Sequence, residues 1–168
     1  HEHRILHLNN VLRAIRNVNQ AIVQEVDMQR AAQRVCQALI ETRSYEDCLL
    51  AILDEDTGRI APVAAAGQDE NTEWSISPEG EGEAPECVID ALNSGETDVR
   101  PPAERCTDSS PYRERQGSFL SVTVPMTYAG SIVGILHLHM MGRNQLQEEE
   151  QRLLDEVAQD VAFARSKC

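Results

Sequence analysis

Residues 117–142 read GSFLSVTVPMTYAGSIVGILHLHMMG, and residues 146–164 follow at once as LQEEEQRLLDEVAQDVAFA. The first stretch is an apolar hairpin whose arms meet at Ala129 and Gly130, a two-residue turn in which Gly tolerates the positive φ such turns require. The second is an amphipathic helix with Leu153, Leu154, Val157, Val161 and Ala164 on its inward stripe and Asn144 and Gln147 as an N-x-x-Q capping box. A two-residue turn pairs Val122 with His137 and Leu120 with His139, unless a bulge near Pro125 shifts the register.

Upstream, the same patterns recur in shorter form. Asp27 is an N-cap for a helix from Met28 to about Thr42, with Ala31, Val35, Cys36, Leu39 and Ile40 inward. Asp47 to Leu53 and Ile60 to Ala66 are apolar runs joined by a polar loop containing Gly58, which predicts an antiparallel hairpin. The stretch from Gln68 to Gly82 is polar and acidic, with a short strand expected around Trp74. Pro85, then Val88, Ile89, Ala91 and Leu92, with Gly95 as a stop, predict a further helix. Pro101 and Pro102 break regular structure, and a turn of helix is expected from Pro111 to Arg115.

Residues 1–26 form a separate segment. Ile5, Leu8, Leu12, Ile15, Asn19, Ile22 and Val26 alternate steps of three and four, the seam of a coiled coil with Asn19 at an a position. That predicts a parallel dimer helix; the plainer alternative is an amphipathic helix packing on its own domain. His1, Glu2 and His3 read as linker residues, and no metal is placed there.

The chain has 168 residues, 41% hydrophobic and 26% charged, which suits one globular domain after that helix. No apolar run reaches the roughly 18 residues that span a bilayer, and no secretory signal is visible, so the expected location is cytoplasmic. Fifteen basic against 28 acidic residues leave a net charge of −13, which opposes nucleic acid and anionic lipid as partners. Lys167 is the only lysine, and the acidic surface fits either high-salt adaptation or a coding bias toward Arg. Cys36, Cys48, Cys87, Cys106 and Cys168 are odd in number and widely spaced without a CxxC, so unpaired thiols are expected.

Taken together, RAIRNVNQAI (13–22), LAILDEDTGRIAPVAAAG (50–67), ALNSGETDV (91–99), VPMTYAGSIVGILHLH (124–139) and EEEQRLLDEVAQDVAFA (148–164) resemble a GAF domain. Such domains are sensory modules of bacterial and archaeal signalling proteins, phytochromes and cyclic-nucleotide phosphodiesterases. The resemblance covers most of the chain from about Met28 to Arg165, and RAIRNVNQAI resembles the linker helix that precedes such domains in histidine kinases and diguanylate cyclases. It implies an α+β, profilin-like fold: a central antiparallel sheet of five to six strands between helices on both faces, in three α/β/α layers. The domain boundaries it implies are a dimerisation helix at 1–26 and the GAF domain at 27–168. One face of the sheet would pair with the first and last helices, and the other would hold a small-molecule pocket under the variable middle segment.

The residues weigh against the specialised members of that family. Bilin binders carry a cysteine next to a histidine, whereas Val88 follows Cys87 and Thr107 follows Cys106. The members that reduce free methionine sulfoxide use clustered redox cysteines; Cys87 and Cys106 fall in a similar region without the local motif, and the acidic surroundings oppose a thiolate. No NKFDE-type cyclic-nucleotide signature is present, so ligand and cofactor stay unnamed.

His137 and His139 are the main polar anomaly, because residues two apart on a strand share a face. They are either pocket groups, able to bond a ligand, haem or another metal, or core histidines packed beneath a helix. Trp74, Tyr112, Arg113 and Phe119 are the other ligand-binding candidates, lying in or beside the variable segment; each could instead be loop packing. The resulting expectation is a non-catalytic sensor that binds a small cytosolic molecule, forms a homodimer through its terminal helices and signals to an output domain, with no catalytic residue and no metal. No output motif is visible, so the chain reads as an input module. A dimerisation module with a vestigial pocket and a thiol-based free methionine sulfoxide reductase are the alternatives.

Overall fold

Asp27 caps the first described helix: its carboxylate Oδ1 accepts the Gln29 amide at 3.0 Å and opens helix α1, Met28–Glu41. The structure is a computed structural model that describes residues 27–42, 45–67, 73–101, 119–141 and 145–167. The heptad helix expected at 1–26, with Asn19, and the helical turn at Pro111 to Arg115 lie outside the described residues. On α1, Ala31, Ala32, Val35, Cys36 and Leu39 are buried, which is the apolar stripe at helical spacing.

The first hairpin is β1, Asp47–Asp54, and β2, Arg59–Gly67, paired from Asp47↔Gly67 to Asp54↔Arg59. Its ladder shifts between Leu50 and Ala51, leaving Val63 as an extra residue in β2. Beyond Ile60, β2 has no strand on its outer side among the described residues, and Pro62 and Gln33 occupy that edge. Pro62 has no amide to offer, while the Gln33 side-chain amide donates to the Ala65 carbonyl at 2.8 Å.

Two very short strands follow, β3, Ser75–Ile76, and β4, Gly82–Glu83. They are held by a side chain: the Arg59 guanidinium donates to the Ser75 hydroxyl and, at 2.9 Å, to its carbonyl. Helix α2, Glu86–Ser94, comes next, with Pro85 just before it and Gly95 just after. Arg100, in β5, Asp98–Arg100, ties this region together through Glu86, Asp90 and Asp98.

The second hairpin is β6, Phe119–Tyr128, and β7, Ser131–Met141. Ala129 and Gly130 have φ of 53° and 82°, so both turn residues are left-handed, as a twisted two-residue hairpin demands. The ladder then shifts between Met126 and Thr127: Thr127 faces Ile132, Met126 faces Gly134, and Val133 is the extra residue. Gly134 follows for want of space, since a Cβ there would run into the Ala51 carbonyl oxygen and the Met126 methyl.

Helix α3, Glu148–Lys167, closes the fold. The Gln151 amide donates to the Gln147 carbonyl at 2.9 Å, so Gln147 stands just before the helix; Asn144 lies outside the described residues. The capping box expected at Asn144 and Gln147 is therefore corrected: Gln147 stands before the helix, not in its first turn, and three consecutive glutamates fill that turn, where the helix dipole favours acids.

The strands form one sheet in the order β4-β3-β2-β1-β7-β6-β5. Among the described residues seven strands replace the five to six expected, because β3, β4 and β5 are two or three residues long and leave no alternation to read in a sequence. The α+β character and the helices on both faces stand. On one face α1 and α3 cover Cys48, Leu50, Leu120, Val122, Val124, Leu136, Leu138 and Met140, which form the main core with Leu39, Leu154, Val157 and Val161. On the other, α2 covers a smaller cluster of Leu49, Ala51, Ile60, Ile76, Cys87, Val88, Leu92 and Ile135. Each fully buried leucine contributes about 1.5–3 kcal/mol relative to exposure, so the main core carries most of the stability.

Candidate functional site

The bulge at Val133 decides where the two histidines go. Without it, His137 would face Val122, which belongs to the main core under α1 and α3. With it, His137 faces Thr123 and His139 faces Ser121, one position on from the simple turn register. A shift of one residue in one strand exchanges faces. Leu136, Leu138 and Met140 point into the main core and Ile135 into the second cluster, so His137 and His139 lie on the α2 face.

There they join two rows of residues that cross three strands. Asp47 and Ser121 flank His139 from either side in one row; Leu49 and Thr123 flank His137 in the next. Asp47 Oδ1 and His139 Nδ1 lie 2.7 Å apart. A carboxylate only accepts, so Nδ1 carries the proton and the ring is fixed in orientation. His137 Nδ1 lies 2.7 Å from Thr123 Oγ1. The two imidazoles meet edge to face, with centroids 4.6 Å apart and planes at 84°.

Burial is nearly complete. Asp47 and Thr123 have no exposed surface, and His137 and His139 retain 7% and 6%. Burial, reinforced by the neighbouring His139, holds the His137 imidazole well below its ordinary pKa. His137 is therefore neutral at physiological pH. Asp47, His139, His137 and Thr123 contain the components of a hydrolytic relay, but the hydroxyl bonds the other histidine and is wholly buried. Thr123 thus positions a ring and is not set up as a nucleophile.

Of the other candidates, Trp74 is half-buried and packs against the α2-side cluster, on the same face as the histidines and at the β3 end of the sheet. Phe119 begins β6 and its backbone pairs with Met141. Tyr112 and Arg113 lie outside the described residues. The structure thus brings His137 and His139 together and puts Trp74 on their face.

Sequence reasoning missed Asp47, Ser121 and Thr123. A period-two signal was present in each case: Asp47 is in phase with Leu49 and Ala51, and Ser121 with Thr123, as His137 is with His139. Among the described residues no group of three or more His, Cys, Asp or Glu side chains is placed to hold a metal ion. Cys36, Cys48 and Cys87 are buried thiols, the first two in the main core and Cys87 in the α2-side cluster. Cys106 and Cys168 lie outside the described residues. No described helix is long and apolar enough to cross a membrane.

Comparison with known proteins agrees with this architecture. The family model described as "GAF domain" matches residues 25–166. No curated protein matches the chain. Among solved structures, the A. aeolicus NLH2 GAF domain in an inactive state is 9% identical, with 95% of this chain and 98% of that one covered at a TM-score of 0.76. The GAF domain of a phosphoenolpyruvate-protein phosphotransferase from Coxiella burnetii is 19% identical, with 94% and 93% covered at 0.72. Free methionine-R-sulfoxide reductase from Neisseria meningitidis, in complex with its substrate, is 16% identical, with 94% and 89% covered at 0.72. At these identities the likeness is one of fold, shared by signalling proteins and by enzymes alike.

Proposed function

The chain belongs to the GAF family, and from that premise we propose that it is a non-catalytic regulatory sensor that binds a small cytosolic molecule on the α2 face of its sheet. The observation that carries this reading is the buried polar pair of His137 and His139, fixed by Thr123 and Asp47 on a face otherwise lined by Leu49, Ile135, Cys87 and Val88. Apolar walls with a few oriented polar groups are what a small-molecule site requires. Trp74 borders the same cluster, and Tyr112, Arg113 and Phe119 complete the ligand-facing set in this proposal.

Occupancy passes to the terminal helices by population shift, the ligand favouring one arrangement of the middle segment and hence one helix register. The domain at 27–168 dimerises through the heptad helix at 1–26 and through α3, and drives an output domain of histidine kinase or diguanylate cyclase type. The outer side of α3 supports an interface role: Phe163 is 52% exposed and its ring lies 6.5 Å from that of Tyr128, itself 41% exposed.

Native mass spectrometry with a thermal-shift screen against nucleotides, amino acids and haem tests the proposal. A dimer stabilised by one class is expected; a dimer that responds to none leaves the dimerisation module with a vestigial pocket, a reading favoured by the small residual exposure of the histidines. A monomer without response overturns both. Turnover of free methionine sulfoxide that is abolished by Cys106→Ser would replace the sensor with an enzyme.

A further inference from the structure

Among the described residues, two buried polar atoms on the α2 face have no hydrogen-bond partner: Asp47 Oδ2 and Ser121 Oγ. Both belong to the row that crosses β1, β7 and β6, on either side of His139. Asp47 has no exposed surface and Ser121 has 2%. Buried polar groups are normally bonded, and a buried carboxylate oxygen is the most expensive to leave unmet. Oδ1 is already engaged by His139, and Oδ2 can only accept. Its missing partner is a donor.

The sign of the charge narrows that donor. His137 is neutral and does not offset Asp47, and among the described residues Arg100, on β5 beside α2, is already shared among Glu86, Asp90 and Asp98. The whole chain carries −13, so its field draws cations and repels anions. Most of the surface left on the two rows belongs to His137 and His139, which sets the direction of approach, and Leu49 and Ile135 supply apolar contact beside them.

We propose that Asp47 anchors an ammonium subsite: the ligand carries a primary amine or amidine that donates to Asp47 Oδ2, a second polar group that meets Ser121 Oγ on the other side of His139, and an apolar part against Leu49 and Ile135. This deepens the sensor reading and rests on it. It selects amines and amidines over nucleotides and carboxylates.

The test uses the full chain and probes that differ only in their polar end. n-Butylamine and agmatine are titrated against n-butanol and butyrate, with AMP and 2-oxoglutarate as further anions, and read by thermal shift and by the amide resonances of Ser121, His137 and His139. The expected result is that n-butylamine shifts those amides and binds at least about tenfold more tightly than n-butanol, the difference that one charge-assisted hydrogen bond makes. Asp47→Asn should remove that advantage, and Ser121→Ala should weaken agmatine, which has a second polar end, more than n-butylamine. Should Asp47→Asn fail to fold, the comparison of butylamine with butanol on the unaltered chain decides alone. Anions or butanol bound at this row in preference to the amines overturn the subsite and leave the sensor standing. Amine binding that Asp47→Asn does not alter also overturns it. No response to any probe overturns the subsite and the ligand-binding reading together.

Discussion

Asp47 and His139 face each other across the β1–β7 ladder, with carboxylate Oδ1 and imidazole Nδ1 2.7 Å apart and Asp47 wholly buried. The pair joins the end of the first hairpin to the core of the second, and Glu46 reinforces the join by donating its amide to the His139 carbonyl at 2.8 Å. A charged hydrogen bond in such a setting is costly to break from one side, because the remaining partner stays buried. Asp47→Ala is expected to lower unfolding stability by about 3 kcal/mol, and Asp47→Asn, which keeps an acceptor toward His139, by about 1 kcal/mol. Urea denaturation of the three proteins measures this, and an alanine variant as stable as the parent would refute a structural role for the pair.

His137 makes stability depend on pH with a defined sign. Its imidazole is held well below the ordinary value by burial first and by His139 second, while in the unfolded chain it titrates near the usual 6.5. Below about 6.5 the unfolded chain therefore binds a proton that the folded chain does not, and stability falls as pH drops through that window toward the folded value. About 1 kcal/mol should be lost between pH 7.5 and 5.5 on this account. Asp155 and Asp160 work in the opposite direction. Burial raises both, with Glu156 adding to the shift of Asp160 and the Thr97 hydroxyl opposing that of Asp155, so they favour the fold as pH falls. The quantity to measure is thus the difference in pH slope between the parent and His137→Gln. Equal slopes would show that His137 does not titrate as described.

Much of this was legible in the residues, and what was not had a physical reason. Asp27, the two hairpins and the stop at Gly95 depend on contacts within a few positions, which a sequence displays directly. The strands β3 and β4 depend instead on Arg59 reaching Ser75, sixteen residues away. Which face His137 meets depends on Val133 being left unpaired in the ladder, which no local preference announces. Asp47 joins His139 across 92 positions, and Asp47 stands at the head of an apolar run as any strand-edge acid might.

The main core has its own buried polar pair, and it too was invisible in the sequence. Tyr45 donates its hydroxyl to Glu150 Oε2 at 2.8 Å, with Tyr45 3% exposed and Glu150 not at all. The bond pins the first turn of α3 to the segment that leads into β1. Tyr45→Phe keeps the ring and removes only the donor, so the expected loss is about 2 kcal/mol. Thermal or urea unfolding gives the value, and a change within about 0.5 kcal/mol, the range of an ordinary surface substitution, would mean the bond contributes nothing.

Val133 offers the sharpest test of how the site is built. Its side chain is buried in the main core, so Val133→Ala should cost about 2 kcal/mol through lost packing. Deleting the residue removes the bulge without moving the register: Thr127 stays opposite Ile132, Met126 opposite Gly134 and His137 opposite Thr123, so His137 and His139 keep the α2 face. The histidines would change face only if Val133 were kept and paired, which puts His137 opposite Val122. The deletion is therefore expected to cost about 2–4 kcal/mol, through the lost Val133 packing and the straightened strand, and to retain a cooperative urea transition with the Thr123–His137 and Asp47–His139 contacts in place. A deletion variant that loses its cooperative transition and its amide dispersion would show that the bulge does more than take up one extra residue in the ladder.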